Sequence, residues 1–354
     1  MKFFKFLSTF SLVFFITNTN SFELDLKSKL QKDSREVGFD NTKTFKGKGK
    51  PVHENLIVKS VMAAELPGYT FKDKVKLIED LVIGVRWNDD PLQMFRKHLF
   101  IAVLSFSHSC KRKTSLEIDV DWDLFYRTHC GDMQFLHAMA SKENETAQYT
   151  YQNIISWMEF SYKTATGSMP SDLRFRSVHY RMEPDTSTTF KETMISNNEG
   201  RSMWRAEGMF SFDCTRTKVK RKLKCTHSKY TKETTRNIAL GSLLHVLQDS
   251  YSESHTKRDD QARIMAYGAY NLQDRKMHAE KDKSAYAVLE GELVKLSAGI
   301  IDSVIKDRKK TYKFDKVVRH DLDSWSVVKS KYIEPALRPV DMSETSSSLG
   351  LVKN

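Results

Sequence analysis

Apolar positions recur with helical spacing along most of this chain. From His53 the stripe Leu56, Ile57, Ser60, Val61 and Ala64 predicts a helix that Pro67-Gly68 ends. Ile78, Leu81, Val82 and Val85, at i, i+3, i+4 and i+7, predict a stronger one. It stops at Arg86-Trp87-Asn88-Asp89-Asp90-Pro91, where Asp before Pro is ordinary turn chemistry. Phe135, Leu136 and Met139 give the segment from Gly131 a buried helical character, and Gln148 to Tyr162 continues as helix with Tyr151, Ile154, Ile155 and Met158 on one face. From about Thr235 an amphipathic helix carries Leu240, Leu243, Leu244, Leu247 and Tyr251 on one side. A last long helix is predicted from about Lys276 to Lys306, striped by Ala285, Leu289, Leu293, Leu296 and Ile300.

Three stretches break this pattern. Residues 22–50 are polar and lysine-rich and read as a loose arm. Residues 92–131 read as an extended insertion. In 164–235, Phe175, Ser177, His179 and Arg181 alternate with Arg176, Val178, Tyr180 and Met182; Met209-Phe210-Ser211-Phe212 and Leu223-Lys224-Cys225 look like strands. The expected fold is mainly α, a single helical domain over 51–308 with a small β-hairpin insertion. Residues 309–354, basic and then serine-rich, read as a loose tail.

Composition adds a compartment and a surface charge. Lys2 and Lys5, the apolar run Leu7 to Ile16 and the small or polar residues 17–21 have the order of a secretory signal peptide over 1–21, too short to span a bilayer. The expected location is periplasmic or secreted, with no transmembrane segment. Cys110, Cys130, Cys214 and Cys225 make an even set, for which two local disulfides, Cys110–Cys130 and Cys214–Cys225, are the simplest pairing. A four-thiolate zinc site is the alternative, and the absence of any CxxC stands against it. The formal charge is +12, or +10 without residues 1–21. Such a chain is drawn to anionic surfaces, either phospholipid head groups or nucleic acid, or is simply a basic exported protein. The run Thr215 to Lys222 between two of the cysteines places a very basic tip on the predicted hairpin, either a solvated turn or an anionic-surface contact.

The chemistry sits on the same helices. His245 and Asp249, four apart, share a helical face, and His255 falls where that helix ends or bends. Carrying the last helix's stripe backwards reaches Asp282 and His278, again four apart. His53 faces inward, and His137 is embedded among apolar residues. A lone inward histidine is usually a hydrogen-bonded core residue, and a His–Asp pair is often just that. Buried imidazoles and carboxylates are costly without partners, and a metal supplies one. Asp89, just past a buried helix, adds a carboxylate, although Asp90 is not separated from it. Five imidazoles and three carboxylates without a thiolate suit zinc.

The pattern His245-x3-Asp249-x5-His255, with His278-x3-Asp282 starting 23 residues later, resembles the trinuclear-zinc superfamily of bacterial phospholipases C and single-strand-specific nucleases. So does its context, Leu240-Gly241-Ser242-Leu243-Leu244-His245-Val246-Leu247-Gln248-Asp249. Trp87-Asn88-Asp89 is similar to the Trp-x-Asp of the nuclease branch. Gln134-Phe135-Leu136-His137 and His53-Glu54-Asn55-Leu56-Ile57-Val58 are similar to segments that bring further histidines. The resemblance covers roughly 51–91, 132–160 and 236–306, and the last block is the specific one. It implies a helical bundle around a metal cluster, with one zinc on Asp89, His137, His245 and Asp249. A second would use His255, His278 and Asp282, and a third His53 with Asp249 as a bridge. Asp89 would also be general base to the attacking water. The chain departs from the family in lacking an N-terminal Trp to complete the third site, which leaves two or three Zn2+ ions. The long insertions depart from it too.

The expected function is an exported, monomeric, zinc-dependent hydrolase of phosphate esters, phospholipase C-like, acting on a phospholipid head group, with contact to an anionic membrane surface. A nuclease of the same superfamily, cutting nucleic-acid phosphodiesters with Trp87, Tyr180 and Trp204 as possible platforms for bases, is the first alternative. A catalytically silent, metal-stabilised binding protein is the second.

Overall fold

The computed structural model describes residues 52–91, 131–195, 205–216, 223–227, 230–282, 286–313 and 324–352, together with Leu124, Arg127, Thr128 and the strand residues 29–30 and 45–46. The expected signal peptide, most of the arm and of the 92–131 insertion, the Cys110–Cys130 pair and the tip of the basic hairpin lie outside the described residues.

The protein is mainly α. Its longer helices among the described residues are α1 (Val52–Ala63), α2 (Phe71–Val85), α3 (Ala147–Thr166), α4 (Pro184–Phe190), α5 (Lys232–Asp249), α6 (Arg275–Lys281) and α7 (Tyr286–Lys313). Local chemistry sets their ends. The Thr70 hydroxyl accepts the Asp73 N–H at 3.2 Å while the Asp73 carboxylate accepts the Thr70 N–H at 2.9 Å, a reciprocal box that starts α2. Thr146 and Thr231 cap α3 and α5 in the simpler way, through hydroxyls that accept the N–H of Tyr149 and Thr234. α3 stops at Gly167, whose φ of +82° lies in the left-handed region that a side chain resists.

The helix expected to be amphipathic is buried all round. From Thr234 to Asp249 every residue of α5 except Arg236 is buried, including Ser242, His245, Gln248 and Asp249. Its polar face is therefore an interior face, and α5 is the axle of the bundle. α2 and α3 pack on it, α1 packs on α2, and α7 covers α1. Contact with α2 is backbone to backbone: a Cβ on Gly241 would lie 2.6 Å from the Gly84 Cα. On the α3 side the Trp157 indole donates to the Ser242 hydroxyl at 3.2 Å and stacks on Trp87 with ring centroids 5.3 Å apart.

Other expectations change in detail. Phe175–Arg181 is a 3-10 turn rather than a strand, because Arg174 and Arg205 bridge just before it and its buried residues, Phe175 and Val178, are three apart. Ala206–Phe210 is likewise a 3-10 turn, and the strand begins only at Phe212. The hairpin itself is present, with β1 (Phe212–Arg216) antiparallel to β2 (Leu223–His227) and Cys214 directly opposite Cys225 in the backbone register. A second hairpin, β3 (Thr256–Arg258) with β4 (Ile264–Tyr267), follows α5. The predicted Lys276–Lys306 helix is two helices, because α6 ends with Asp282 as its cap and α7 begins at Tyr286. Residues 324–352 are packed, not loose. The buried Asp307 carboxylate accepts the Ser324 N–H at 2.7 Å and the Tyr162 hydroxyl at 2.8 Å, and Trp325 is buried beside Tyr162. The chain then runs back along the fold, with Glu344 O accepting Ala147 N–H at 2.7 Å and Leu351 O accepting Asp274 N–H at 2.6 Å.

Candidate metal centre

Six segments bring the eight sequence-predicted residues to one interior region. The first turn of α1 supplies His53, and the turn after α2 supplies Asp89. A 3-10 turn, Gln134–His137, supplies His137 and is closed by Ala138 in the left-handed region. The last two turns of α5 supply His245 and Asp249. The turn after α5 holds His255, and α6 holds His278 with Asp282 at its cap. Asn88 locks the first of these to the others: its amide donates to Leu136 O at 2.7 Å, and its carbonyl accepts the Ser242 hydroxyl at 2.5 Å. The turn bearing Asp89 is thereby tied both to the turn bearing His137 and to α5. All eight residues are buried.

Asp249 is the hub. Its Oδ2 lies 2.8 Å from His245 Nε2, 2.9 Å from His137 Nδ1 and 3.6 Å from His255 Nδ1, and its Oδ1 lies 3.3 Å from His53 Nε2. Asp89 Oδ2 is 3.7 Å from His245 Nε2. Across the site, His255 Nε2 is 3.5 Å from Asp282 Oδ1, and His278 Nε2 is 3.3 Å from Asp282 Oδ2. Ligand atoms converge in three groups: His53, His245 and Asp249; Asp89, His137 and His245; and His255, His278 and Asp282. The last group has the membership that the resemblance implied. In the other two, His245 is shared and Asp249 touches both. Asp89 rather than Asp90 faces the histidines.

Electrostatics keep donor atoms available. Burial lowers His245 to about 3 and His278 to about 4, so both imidazoles are neutral and hold a lone pair. Asp249, although buried, is held well below the usual carboxylate range by His245 and His255. Burial opposes protonation of His53 and His137, but hydrogen bonds and charge from Asp249 outweigh it and raise both. Asp89 is pushed up to about 7 by burial, against the pull of His137.

The donor set fits metal ions. His245 Nε2 and His137 Nδ1 are 3.1 Å apart, a contact that two lone pairs do not tolerate without a proton or a cation between them. Asp89 Oδ2 and His245 Nδ1 are buried with no hydrogen-bond partner. These buried His/Asp groups can hold metal ions. Loading must then displace protons from His53 and His137, whose raised values keep them charged below and around pH 6.5, so affinity is expected to rise with pH through the neutral range. Calorimetric titration of the metal-free protein with Zn2+ in buffers of different ionisation enthalpy checks this. Proton uptake on binding, or no proton exchange at pH 6.5, would contradict it.

Sequence reasoning did not single out the residues that orient the ligands. Gln248 accepts His53 Nδ1 at 2.6 Å, Gln273 accepts His278 Nδ1 at 2.5 Å, and Ser252 donates to Asp282 at 2.5 Å. Gln248 could have been noticed as the neighbour of Asp249. Nothing in the sequence pointed to Gln273 or the serines. Comparisons with protein-family models, with curated proteins and with solved structures give no match to this chain.

Proposed function

We propose that this protein is an exported zinc-dependent phosphodiesterase of phospholipase C type, related to the trinuclear-zinc phospholipases and nucleases. The observation that carries the reading is the burial of five imidazoles and three carboxylates in three contiguous groups around Asp249. A set of nitrogen and carboxylate oxygen donors without thiolates suits Zn2+, and the two oxygens of Asp249, one near His53 and the other near His137, His245 and His255, suit a bridge between ions close together. When bound, such ions supply Lewis acidity to phosphoryl oxygens and bring the pKa of a water towards neutrality. The chain's residues do the rest. Asp249 orients His53, His137 and His245 at once. Asp89, whose Oδ2 faces His245, would help hold a metal and would also be the general base to the attacking water.

A phospholipid head group is the preferred substrate class over nucleic acid. Trp87, one of the three candidate platforms for bases, is buried against Trp157 and Phe210 and is not presented to a ligand. Tyr180 is exposed, and Trp204 lies outside the described residues. No helix among the described residues is long and apolar enough to cross a membrane. Surface attraction between the basic chain and anionic lipid would bring substrate and protein together.

The test is metal analysis of the purified protein with parallel assays on phosphatidylcholine vesicles and single-stranded DNA. Zinc with phospholipase C activity is expected, and His245→Ala should reduce turnover by at least about a hundredfold, since it removes the imidazole that two groups have in common. Activity on DNA alone would select the nuclease. Bound zinc with neither activity would select a binding protein. No bound zinc and no activity would overturn the proposal.

A further inference from the structure

We infer that Ser254 and Gln273 are positioning residues which set the donor atoms of the His255, His278 and Asp282 group; the inference rests on the metal-binding reading above. Ser254 precedes His255 in the turn after α5, and Gln273 precedes the Asp274 cap of α6. Both are buried.

The amide of Gln273 has its orientation fixed by a group that can only accept. Its Nε2 donates to the Ser254 carbonyl at 2.7 Å, so its Oε1 is the atom that faces His278 Nδ1 at 2.5 Å. An amide oxygen only accepts, so the proton of the neutral imidazole resides on Nδ1. The lone pair is thereby placed on Nε2, the nitrogen that points at Asp282 Oδ2 from 3.3 Å. Gln273 thus selects the tautomer and holds the ring, as outer carboxylates and carbonyls do for metal-bound histidines in general.

Ser254 acts a second time through its side chain. Its hydroxyl donates to Asp282 Oδ1, and so does the Ser252 hydroxyl at 2.5 Å. Two donors on Oδ1 anchor the carboxylate and leave Oδ2 as the oxygen turned to His278. One residue therefore orients two ligands by separate routes, the carbonyl through Gln273 to His278 and the hydroxyl to Asp282, while its chain neighbour is the third ligand. Glycine at 268 fits the same wiring, because a Cβ there would lie 2.8 Å from both Gln273 Nε2 and the Ser254 carbonyl.

The wiring reaches only one of the three groups, and this makes it testable. Wild-type protein is loaded with Zn2+, titrated with a chelator and followed by native mass spectrometry, alongside Gln273→Met and Ser254→Ala. Each variant is expected to lose one ion at about 10- to 100-fold lower chelator strength than wild type and to release the remainder as wild type does. A general loss of structure would loosen every ion together, and that result would overturn the inference. So would unloading curves that match wild type. If Gln273→Met does not fold, Ser254→Ala decides alone, since it removes one of two hydroxyls and leaves the carbonyl in place. A wild-type protein that takes up no zinc would overturn the metal reading itself, whereas normal wild-type loading with unselective variants would overturn only the wiring.

Discussion

Asp249→Asn is expected to empty at least two of the three metal groups and to reduce phosphodiester hydrolysis by about a thousandfold or more, which corresponds to ~4 kcal/mol of transition-state stabilisation. The substitution preserves shape and removes charge. Four of the five imidazoles lie within 3.6 Å of the Asp249 carboxylate, so loss of its charge is felt across most of the site. Far-UV circular dichroism should still show a helical protein. The metal-free state adds a signature with a definite sign. Asp249 has a depressed folded pKa, so its contribution to stability is present above the ordinary carboxylate value and is lost as pH falls through the folded one. His53 and His137 have raised folded values, so theirs is full below about pH 6.5 and is lost as pH rises through the folded values. The stability gap between metal-free wild type and Asp249→Asn should therefore be widest from about pH 4 to pH 6.5 and narrow above that range. Denaturant melts across this range measure it. Wild-type zinc content and turnover in Asp249→Asn would remove Asp249 from the centre of the site.

The two candidate His/Asp pairs were legible because helical periodicity places them without knowledge of tertiary contacts, whereas Asp89, His137 and His255 lie on turns that periodicity does not place. His245 and Asp249 share a face at i, i+4 whatever surrounds the helix, and His278 and Asp282 do so whether the segment is one helix or two. What the surroundings do was not legible in the same way. α5 was read as amphipathic because its polar residues fall together, yet both faces are interior, since the polar one is covered by ligands from five other segments. The break between α6 and α7 was hidden because the apolar stripe runs through it in phase. Phe175 to Met182 alternates in type like a strand, but its burial has a period of three. The serine-rich C-terminus has few apolar residues, and it is held mostly by backbone hydrogen bonds to 145–148 and 264–274, which leave no mark on composition. Gln273 and Ser254 were missed for a related reason: an amide or hydroxyl gains its role from what lies opposite it.

Gly241→Val is expected to be strongly damaging although it lies away from the ligands, and the reason is the closeness of α2 and α5. A Cβ at Gly241 would lie 2.6 Å from both the Gly84 Cα and the Leu81 carbonyl, and one at Gly84 would lie 2.5 Å from the Ile238 carbonyl. These are backbone atoms and cannot swing aside, so the helices must separate. Glycine within a helix normally costs about 1 kcal/mol relative to alanine, so propensity alone predicts a gain on substitution. Overpacking a buried contact costs about 1–3 kcal/mol, and more where backbone must move, so the steric effect wins here. Gly291 in α7 provides the opposite case, since a Cβ there meets nothing within 4 Å. Gly291→Ala should therefore raise stability by about 0.5–1 kcal/mol while Gly241→Val lowers it by several times as much. Separation also has a chemical consequence. α2 leads into Asp89, α5 carries His245, and the Asn88–Ser242 hydrogen bond spans the two. Widening the gap pulls Asp89 from His245, so Gly241→Val should bind fewer zinc ions even at temperatures where it remains folded. Thermal melts and metal analysis of both glycine variants check this pair. A Gly241→Val protein with wild-type stability and full metal content would show that the close approach of these helices is not what holds the centre together.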